Sequence, residues 1–318
     1  MKDAVDMFAG AGGFTLGAEQ AGLHVYWSAN HWRQAVSVHR DNHPKTFHSC
    51  QDLRQANFGE LPDFKFLLAS PACQGFSKAR GRDKKHHDDC RSTAWAVIDC
   101  LESKRPPYGI IENVPEFAKW ELFDVWKLAV EKLGYTPHVN LLDAADFGVP
   151  QHRERVFITL VHKSVGTNPI VVTPPKLPHV AAKTIIDWKG GDWSSVYDMV
   201  ENTVNRFENG RKQYGVKFVM PYYGSGSGMT GRSINRPIGT ITTKDRWAIV
   251  NGTKMRMFSV DECRRAMGFP EKYRLAKQKT VSIKMLGNAV VPAVAKYVIE
   301  YILGLENRRT PRRPLLAA

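Results

Sequence analysis

The chain has 318 residues, with 45 basic and 31 acidic side chains and a formal charge of +14. Hydrophobic residues at 43% and charged residues at 24% are those of a folded globular chain, which excludes collagen, a coiled coil and a disordered tail. No stretch reads as the ~20 apolar residues of a membrane span, and the opening MKDAVDMF turns acidic at once, without a cleavable signal pattern.

Residues 4–8 predict a buried strand that breaks into a glycine turn, and residues 15–21 the helix after it. Further strands are predicted at 24–29, 64–69 and 108–111, with a late one at 155–161, while 94–102 and 121–133 have helical spacing. This alternation predicts an α/β fold with a doubly wound, mostly parallel sheet. Ligands in such sheets sit at the carboxyl ends of the strands, so function is sought in the loops there. From about Lys163 the texture changes: Pro169, Pro174, Pro175 and Pro178 cluster, and Gly, Ser, Tyr and Trp increase. A smaller, loop-rich second lobe is expected. Helical spacing returns at 260–267 and 293–303, and a frayed tail carries Arg308, Arg309, Arg312 and Arg313.

The cysteines Cys50, Cys73, Cys90, Cys100 and Cys263 are odd in number and contain no CxxC pair. That argues against a disulfide framework or a zinc site and for a reducing compartment. The charge favours a polyanion, because neutralising phosphates releases counterions. Many basic proteins bind none, so the position of the charge matters more.

Four loops could carry chemistry. Residues 6–14 (DMFAGAGGF) follow a strand and open a helix, and glycines let a backbone turn tightly against a ligand. Thr15 stands where the dinucleotide fingerprint has its third glycine, and no P-loop lysine follows. The loop fits either an empty βα turn or an adenosine-type site, with Phe8 as a stacking face and Asp52 after a later strand. Residues 70–77 (SPACQGFS) place Cys73 at a carboxyl edge of the sheet, followed by Lys78, Arg80, Arg82, Lys84 and Lys85. Cations lower a thiol's pKa, so Cys73 reads as a nucleophile or, equally, as a small core cysteine. His86 and His87 lack ligand spacing, and no metal is expected. Glu112 ends the strand at 108–111; desolvated there it could hold a proton, or it caps a helix. Gln151, Arg153 and Arg155 alternate along an extended segment and share one face. The arginines could hold a phosphate or a carbonyl oxygen, although an exposed edge strand looks the same.

In this order, these segments resemble the DNA cytosine-5 methyltransferases. Residues 8–13 are similar to that family's Phe-x-Gly-x-Gly-Gly cofactor motif, 70–77 to its Pro-Cys-Gln loop, 112–114 to its Glu-Asn-Val, and 146–155 to its Gln-x-Arg-x-Arg block. Residues 236–242 and 287–292 resemble the last two blocks, with the familiar 262–270 between them. The resemblance implies that Cys73 adds to cytosine C6, Glu112 holds the N3 edge, and Arg155 holds O2, with Arg153 beside it on phosphate or as support. The base must leave the helix stack. S-adenosylmethionine, leaving as S-adenosylhomocysteine, would take Phe8, Ala9, Gly10, Gly12, Gly13, His31, Trp32, Asp52, Leu53, Ser70, Asn288 and Ala289. DNA would take Gln74, Ser77, Lys78, Arg80, Arg82, Gln151, Arg232 and Arg236, with residues 75–91 as a cationic loop that closes over it. Arg206, Arg211, Lys212 and residues 222–228 are further candidates for reading sequence.

Three positions depart from the family pattern. His31 stands where a glutamate usually takes the ribose hydroxyls, Ala72 replaces a proline before the cysteine, and Met285 stands where a glutamine is frequent. The expected organisation is a catalytic and cofactor-binding domain over 1–162 plus 251–318 and a target-recognition domain over 163–250. The expected protein is a monomeric enzyme acting on double-stranded DNA, without a membrane. It would be cytoplasmic, bacterial or phage-encoded, nucleoid-associated through DNA, and part of restriction-modification. The alternatives are a transfer-RNA cytosine-5 methyltransferase on the same fold and a non-catalytic DNA-binding protein.

Overall fold

The computed structural model describes residues 1–72, 85–222 and 228–309, with the backbone alone at 85–91 and 307–309. In chain order the elements are β1 (Lys2–Met7), α1 (Gly13–Gln20), β2 (Val25–Asn30), α2 (Arg33–Asn42), β3 (Phe47–Cys50), β4 (Phe64–Ala69) and α3 (Lys85–Lys104). They continue with β5 (Tyr108–Asn113), α4 (Phe123–Lys132), β6 (Tyr135–Asp143), β7 (Glu154–His162), β8 (Ser194–Ser195), α5 (Glu201–Tyr214) and β9 (Lys217–Pro221). Last come β10 (Trp247–Asn251), β11 (Lys254–Met257), α6 (Val260–Ala266), α7 (Lys279–Asn288) and α8 (Pro292–Arg309). Contacts divide the chain into two compact units, one of Met1–Leu142, Glu154–Pro174 and Val290–Ala318, the other of Asp143–Arg153 and Pro175–Ala289.

The first unit is built on a seven-stranded sheet in the order β3-β2-β1-β4-β5-β7-β6. Strands β3, β2, β1, β4 and β5 run parallel to their neighbours, and β7 runs antiparallel to β5. Helices cover the sheet, so its central strands are continuous apolar runs; all six residues of β5 are buried. Met7, Leu67, Ile111 and Ile158 pack with Phe117, Phe123 and Trp126 in one core. The strand order reverses between β1 and β4, and open α/β sheets bind their ligands outside the carboxyl ends of the strands at such a point. The mostly parallel sheet with helices therefore matches the expected fold class.

Helices α1 and α8 meet through Gly17. A Cβ there would lie 2.6 Å from Ala295 Cβ and 2.7 Å from the Pro292 carbonyl oxygen. Overpacking of this kind costs about 1–3 kcal/mol. Gly17→Ala should lower the thermal unfolding midpoint by several degrees, whereas Gly22→Ala, in open space, has only its left-handed backbone to strain. An unchanged midpoint for Gly17→Ala would show that α8 slides at no cost.

The second unit holds an antiparallel sheet in the order β8-β11-β10-β9. Phe207 of α5 packs with Phe218, Met220, Ala248 and Val250. This region was expected to be loop-rich. Its strands are short, and β9 and β10 are buried over four consecutive residues each, so they lack the alternation that marks a half-exposed strand. Residues 251–289 fall in this unit, where the sequence had placed them with the N-terminal part. The β10–β11 hairpin joins Val250 to Met255 in one ladder across that expected boundary.

The sequence reading missed α2, β3, β6, α5, β8 to β11 and α7, and it began α3 nine residues late. One exclusion is corrected. The stretch Lys279–Glu306, which takes in α7 and most of α8, is apolar enough by length and composition to cross a membrane. Its apolar residues face the protein: Val294, Ala295, Val298, Ile299 and Ile302 of α8 are all buried.

Candidate active site

At the carboxyl end of β1 the chain turns through residues 8–13. Phe8, Gly10 and Gly12 have φ of 62°, 55° and 90°. Glycine tolerates the left-handed region, but Phe8 does so at a cost of about 1 kcal/mol. The loop is fixed by its own backbone: the Ala9 N–H donates to the Ala29 carbonyl at 3.0 Å and the Gly12 N–H to the Ala9 carbonyl at 2.8 Å. A Cβ at Gly10 would meet only the Phe8 carbonyl, at 3.8 Å, so conformation rather than space requires glycine there. Alternating left-handed residues at a helix start aim main-chain N–H groups at a ligand. The loop therefore fits a small molecule held through the backbone.

Ser70, at the end of β4, ties this loop to the next strand. Its N–H donates to the Met7 carbonyl at 3.1 Å and its hydroxyl to the Phe8 carbonyl at 3.2 Å. Beyond β2, His31 is exposed and Trp32 half-buried, with the Trp32 Nε1–H on Gln34 Oε1 at 2.9 Å. Asp52 caps a short 3-10 turn and is clamped by Arg54, whose Nε reaches both carboxylate oxygens at 3.0 Å. That hydrogen bond holds the Asp52 carboxyl below its ordinary range. The Leu53 side chain is buried in the core.

Beneath the loop runs a polar chain that the sequence did not suggest. Thr15 Oγ1 donates to Asp6 Oδ2 at 2.7 Å, and His39 Nε2 lies 3.0 Å from the same hydroxyl. His39 Nδ1 meets His48 Nε2 at 2.8 Å. Because Thr15 spends its proton on Asp6, His39 must donate through Nε2 and accept from His48 through Nδ1. Burial pushes the Asp6 carboxyl up to about 7 and holds His39 well below 6.5, as a neutral ring.

The sign of the Asp6 effect follows from linkage. Folded, Asp6 keeps its proton to about pH 7; unfolded, it loses it near 3.8. Its stabilisation is whole below 3.8 and is lost as pH rises through 7, on the order of 4 kcal/mol in all. His39 acts in the opposite sense, losing stability as pH falls below 6.5. The wild-type-minus-Asp6→Asn difference in unfolding free energy isolates the carboxyl. That difference should move in favour of Asp6→Asn between pH 5 and pH 8; a difference independent of pH would refute the buried proton.

At the carboxyl end of β5, Glu112 faces Phe157 of β7 in the antiparallel register. Arg155, two residues before Phe157, is its diagonal neighbour on the same face. Arg155 Nε lies 3.3 Å from Glu112 Oε1, with the side chains 15% and 8% exposed. Asn113 Oδ1 accepts from the Val114 N–H at 2.9 Å, which turns its Nδ2 onto the Pro71 carbonyl at 3.1 Å. Cys73, Gln74, Ser77, Lys78, Arg80 and Arg82 lie outside the described residues. Ligand loop, Ser70, Glu112 and Arg155 all stand at the carboxyl edge of one sheet in one unit.

The sequence model of the C-5 cytosine-specific DNA methylases matches residues 3–304. The chain belongs to that family. The methylase is 26% identical to the Type II methyltransferase M.HhaI of Haemophilus parahaemolyticus, over 92% of each chain. It is 28% identical to M.BsuFI of Bacillus subtilis, over 92% of this chain and 70% of that one. The solved Dnmt2 methyltransferase of S. pombe superposes with a TM-score of 0.68 at 17% identity, covering 97% of this chain and 98% of that one; that likeness concerns the fold.

Several expected positions of the methylase prove different. Gln151, Arg153 and Arg155 do not share one face, because the chain passes from the second unit to the first after Arg153. Gln151, expected at DNA, is fully buried: its Nε2 donates to the Ala266 carbonyl at 3.1 Å and its Oε1 accepts from the Ile241 N–H at 2.6 Å. Arg153 is 2% exposed and donates to the carbonyls of Ile241, Gly287 and Ala289 at 2.9–3.0 Å. It braces the second unit, the support alternative. Asn288 closes α7, half-buried, and Ala289 follows it. Arg206 is buried, bonded to the Pro221 carbonyl and over the Tyr222 ring at 5.2 Å, so it is packing. Arg211, Lys212, Arg232 and Arg236 are exposed, and 223–227 lie outside the described residues. In the second unit two histidine–carboxylate pairs went unnoticed, His152 with Asp143 at 2.7 Å and His179 with Asp146 at 3.0 Å. Separations of 9 and 33 residues give no local pattern to find them by.

Proposed function

We propose that this methylase transfers a methyl group to C5 of cytosine in double-stranded DNA, with S-adenosylmethionine as donor. The observation that carries the proposal is the Glu112–Arg155 pair at the edge of the sheet that also carries the glycine loop. One group that can hold a proton stands beside a fixed cation, which suits the N3 and O2 edge of a pyrimidine. S-adenosylmethionine, when bound, supplies an electrophilic methyl group to the activated carbon. Phe8, Ala9, Gly10, Gly12, Gly13, His31, Trp32, Asp52, Leu53 and Ser70 would hold it.

Cytosine C5 is a poor nucleophile. The Cys73 thiolate adds to C6, and the electron pair displaced onto the ring makes C5 nucleophilic. Glu112 hydrogen-bonds N3, and Arg155 stabilises the charge that develops on O2. Loss of the C5 proton to a base, a role water can serve, then expels the thiolate and restores the ring. A base inside a duplex cannot be reached, so it must be flipped out, at roughly a few kcal/mol.

The charge of +14 supports a nucleic-acid partner. In this reading the first unit performs catalysis and the second reads the target, with Arg232 and Arg236 at DNA. Gln74, Ser77, Lys78, Arg80 and Arg82 are the further residues proposed to contact it. The enzyme acts as a monomer in the cytoplasm of a bacterium or from a phage, held at the nucleoid by DNA, as the modification half of a restriction system. The test is expression in a host lacking cytosine methylation, followed by nucleoside mass spectrometry of DNA and RNA separately. 5-Methylcytosine in DNA is expected. Its presence in RNA alone would reverse the substrate, and a different mass would point to another group on the sulfonium, where His31 departs from the family.

A further inference from the structure

Asp6 is fully buried near the end of β1, two residues before Phe8 opens the glycine loop, and the methyl transfer described above gives it no part. Its Oδ2 accepts from Thr15 in the first turn of α1, so the side chain ties strand to helix on either side of that loop. Its Oδ1 has no hydrogen-bond partner among the described residues. A buried carboxylate left half-satisfied is costly as an anion, unless a positive charge offsets it.

Among the described residues, no cation touches Asp6. Its register neighbours are Ser28 of β2 and Leu68 of β4. Helix α1 adds Thr15 and, one turn on, Glu19, which is bound to His43 Nδ1 at 2.8 Å. Helix α2 adds His39 and His43, whose rings lie 4.6 Å apart. Burial, then Arg40 and His43, hold the His48 ring of β3 below its ordinary range. Helix α8 meets α1 at Gly17, and its exposed Lys296 is paired with Glu300.

The chain from Asp6 through Thr15 and His39 to His48 keeps every bond in two arrangements. With Asp6 ionised, Thr15 donates to it, His39 donates to Thr15 through Nε2, and His48 Nε2 donates to His39 Nδ1. With a proton on Asp6 Oδ2 each bond reverses: Asp6 donates to Thr15, Thr15 to His39 Nε2, and His39 Nδ1 to His48 Nε2. Passing from the second arrangement to the first moves one proton along each bond and releases the Nδ1 proton of half-buried His48. Negative charge is left on Asp6, and both rings stay neutral.

We propose that Asp6 is a specificity-determining residue that tells the charged methyl donor from its uncharged product. It gives up its proton along Thr15, His39 and His48 when the sulfonium donor is bound, and takes it back once the neutral thioether remains. The proposal rests on the donor named above. Burial places the Asp6 carboxyl at about 7, so both arrangements are within reach near neutral pH. A positive ligand charge favours the ionised form, and in a low-dielectric interior it does so without direct contact. By linkage, affinity for the donor rises with pH until Asp6 is ionised in the free protein, while affinity for the product does not.

The test is titration calorimetry of the full chain with S-adenosylmethionine and, separately, S-adenosylhomocysteine. It is run at pH 6 and pH 8, in two buffers of different ionisation enthalpy. Wild type should bind the donor roughly fivefold or more tighter at pH 8 than at pH 6, and release close to one proton at pH 6. At pH 6 the amino groups of both ligands already carry their protons, so the product should release almost none. Asp6→Asn keeps the shape and removes the ionisation; its donor affinity should change by less than about twofold between the two pH values. Thr15→Val withdraws the hydrogen bond that the ionised form needs and should displace the rise to higher pH. Equal proton release on binding donor and product by the wild type at pH 6 overturns the proposal without recourse to any variant. An equal pH dependence in Asp6→Asn does the same, and an unmoved rise in Thr15→Val overturns the path through its hydroxyl. A wild type that binds neither ligand overturns the donor itself, and the proposal with it.

Discussion

Cys73→Ser is expected to abolish methylation, by about 10³-fold or more, while DNA is still bound. A serine hydroxyl is not ionised near neutral pH and is a far weaker nucleophile than a thiolate, so addition to C6 is the step lost. The decisive readout is a duplex carrying 5-fluorocytosine. Fluorine in place of the C5 hydrogen blocks the final proton loss, so the wild-type enzyme is trapped covalently, and Cys73→Ser should shift to a non-covalent complex only. The remaining described cysteines make poor substitutes. Cys100 and Cys263 are buried, and burial pushes the Cys100 thiol up to about 12 and raises the Cys263 thiol as well. Cys50 is exposed, but it ends β3 and sets its Sγ 3.8 Å from the His31 carbonyl. Trapping by the serine variant would identify a different nucleophile and remove the basis of the proposed reaction.

The second large effect is expected at Glu112. Glu112→Gln keeps the size and one acceptor oxygen, but its amide cannot exchange a proton with the N3 edge. General-acid contributions run to about 10²–10⁴-fold, and a loss of at least 10²-fold in kcat is expected. The fold should survive, because the 8%-exposed carboxylate is replaced by a neutral group of the same shape. Arg155→Ala is different: it removes the guanidinium that lies 3.3 Å from a nearly buried carboxylate, and breaking such a pair costs up to about 3–5 kcal/mol where it is fully buried. Thermal unfolding separates the two. A Glu112→Gln protein with wild-type kcat would remove the carboxyl from the mechanism, whatever its melting behaviour.

Asp6, Thr15, His39 and His48 illustrate a polar chain that local sequence does not reveal. Asp6 sits mid-strand and fully buried, one residue before the core residue Met7. In the sequence it reads as the lead-in to a glycine loop. Its partners come from α1, α2 and β3, and β3 itself was not foreseen. With β3 absent, no route from Asp6 to His48 exists on paper.

The same limit separates Arg153 from Arg155. Two residues apart in an alternating segment, they read as twins. One is consumed by three carbonyls of the second unit, and the other pairs with Glu112 of β5. Alternation tells which residues share a face only while the segment stays one strand, and here β7 begins at Glu154.

The order of the loops, their glycines and the chemistry-bearing residues were legible in the sequence because each depends on residues close together in the chain. A strand followed by DMFAGAGGF, or ended by Glu112, announces itself through local hydrophobicity and backbone freedom. Which side chains meet was settled by the tertiary structure. The antiparallel register of β5 and β7 brings Arg155 to Glu112, and the packing of α3 brings Thr93 to Ala72 and Ser92 to Arg54. Register and helix placement arise from burial summed over many distant residues, and no short window of sequence contains that sum.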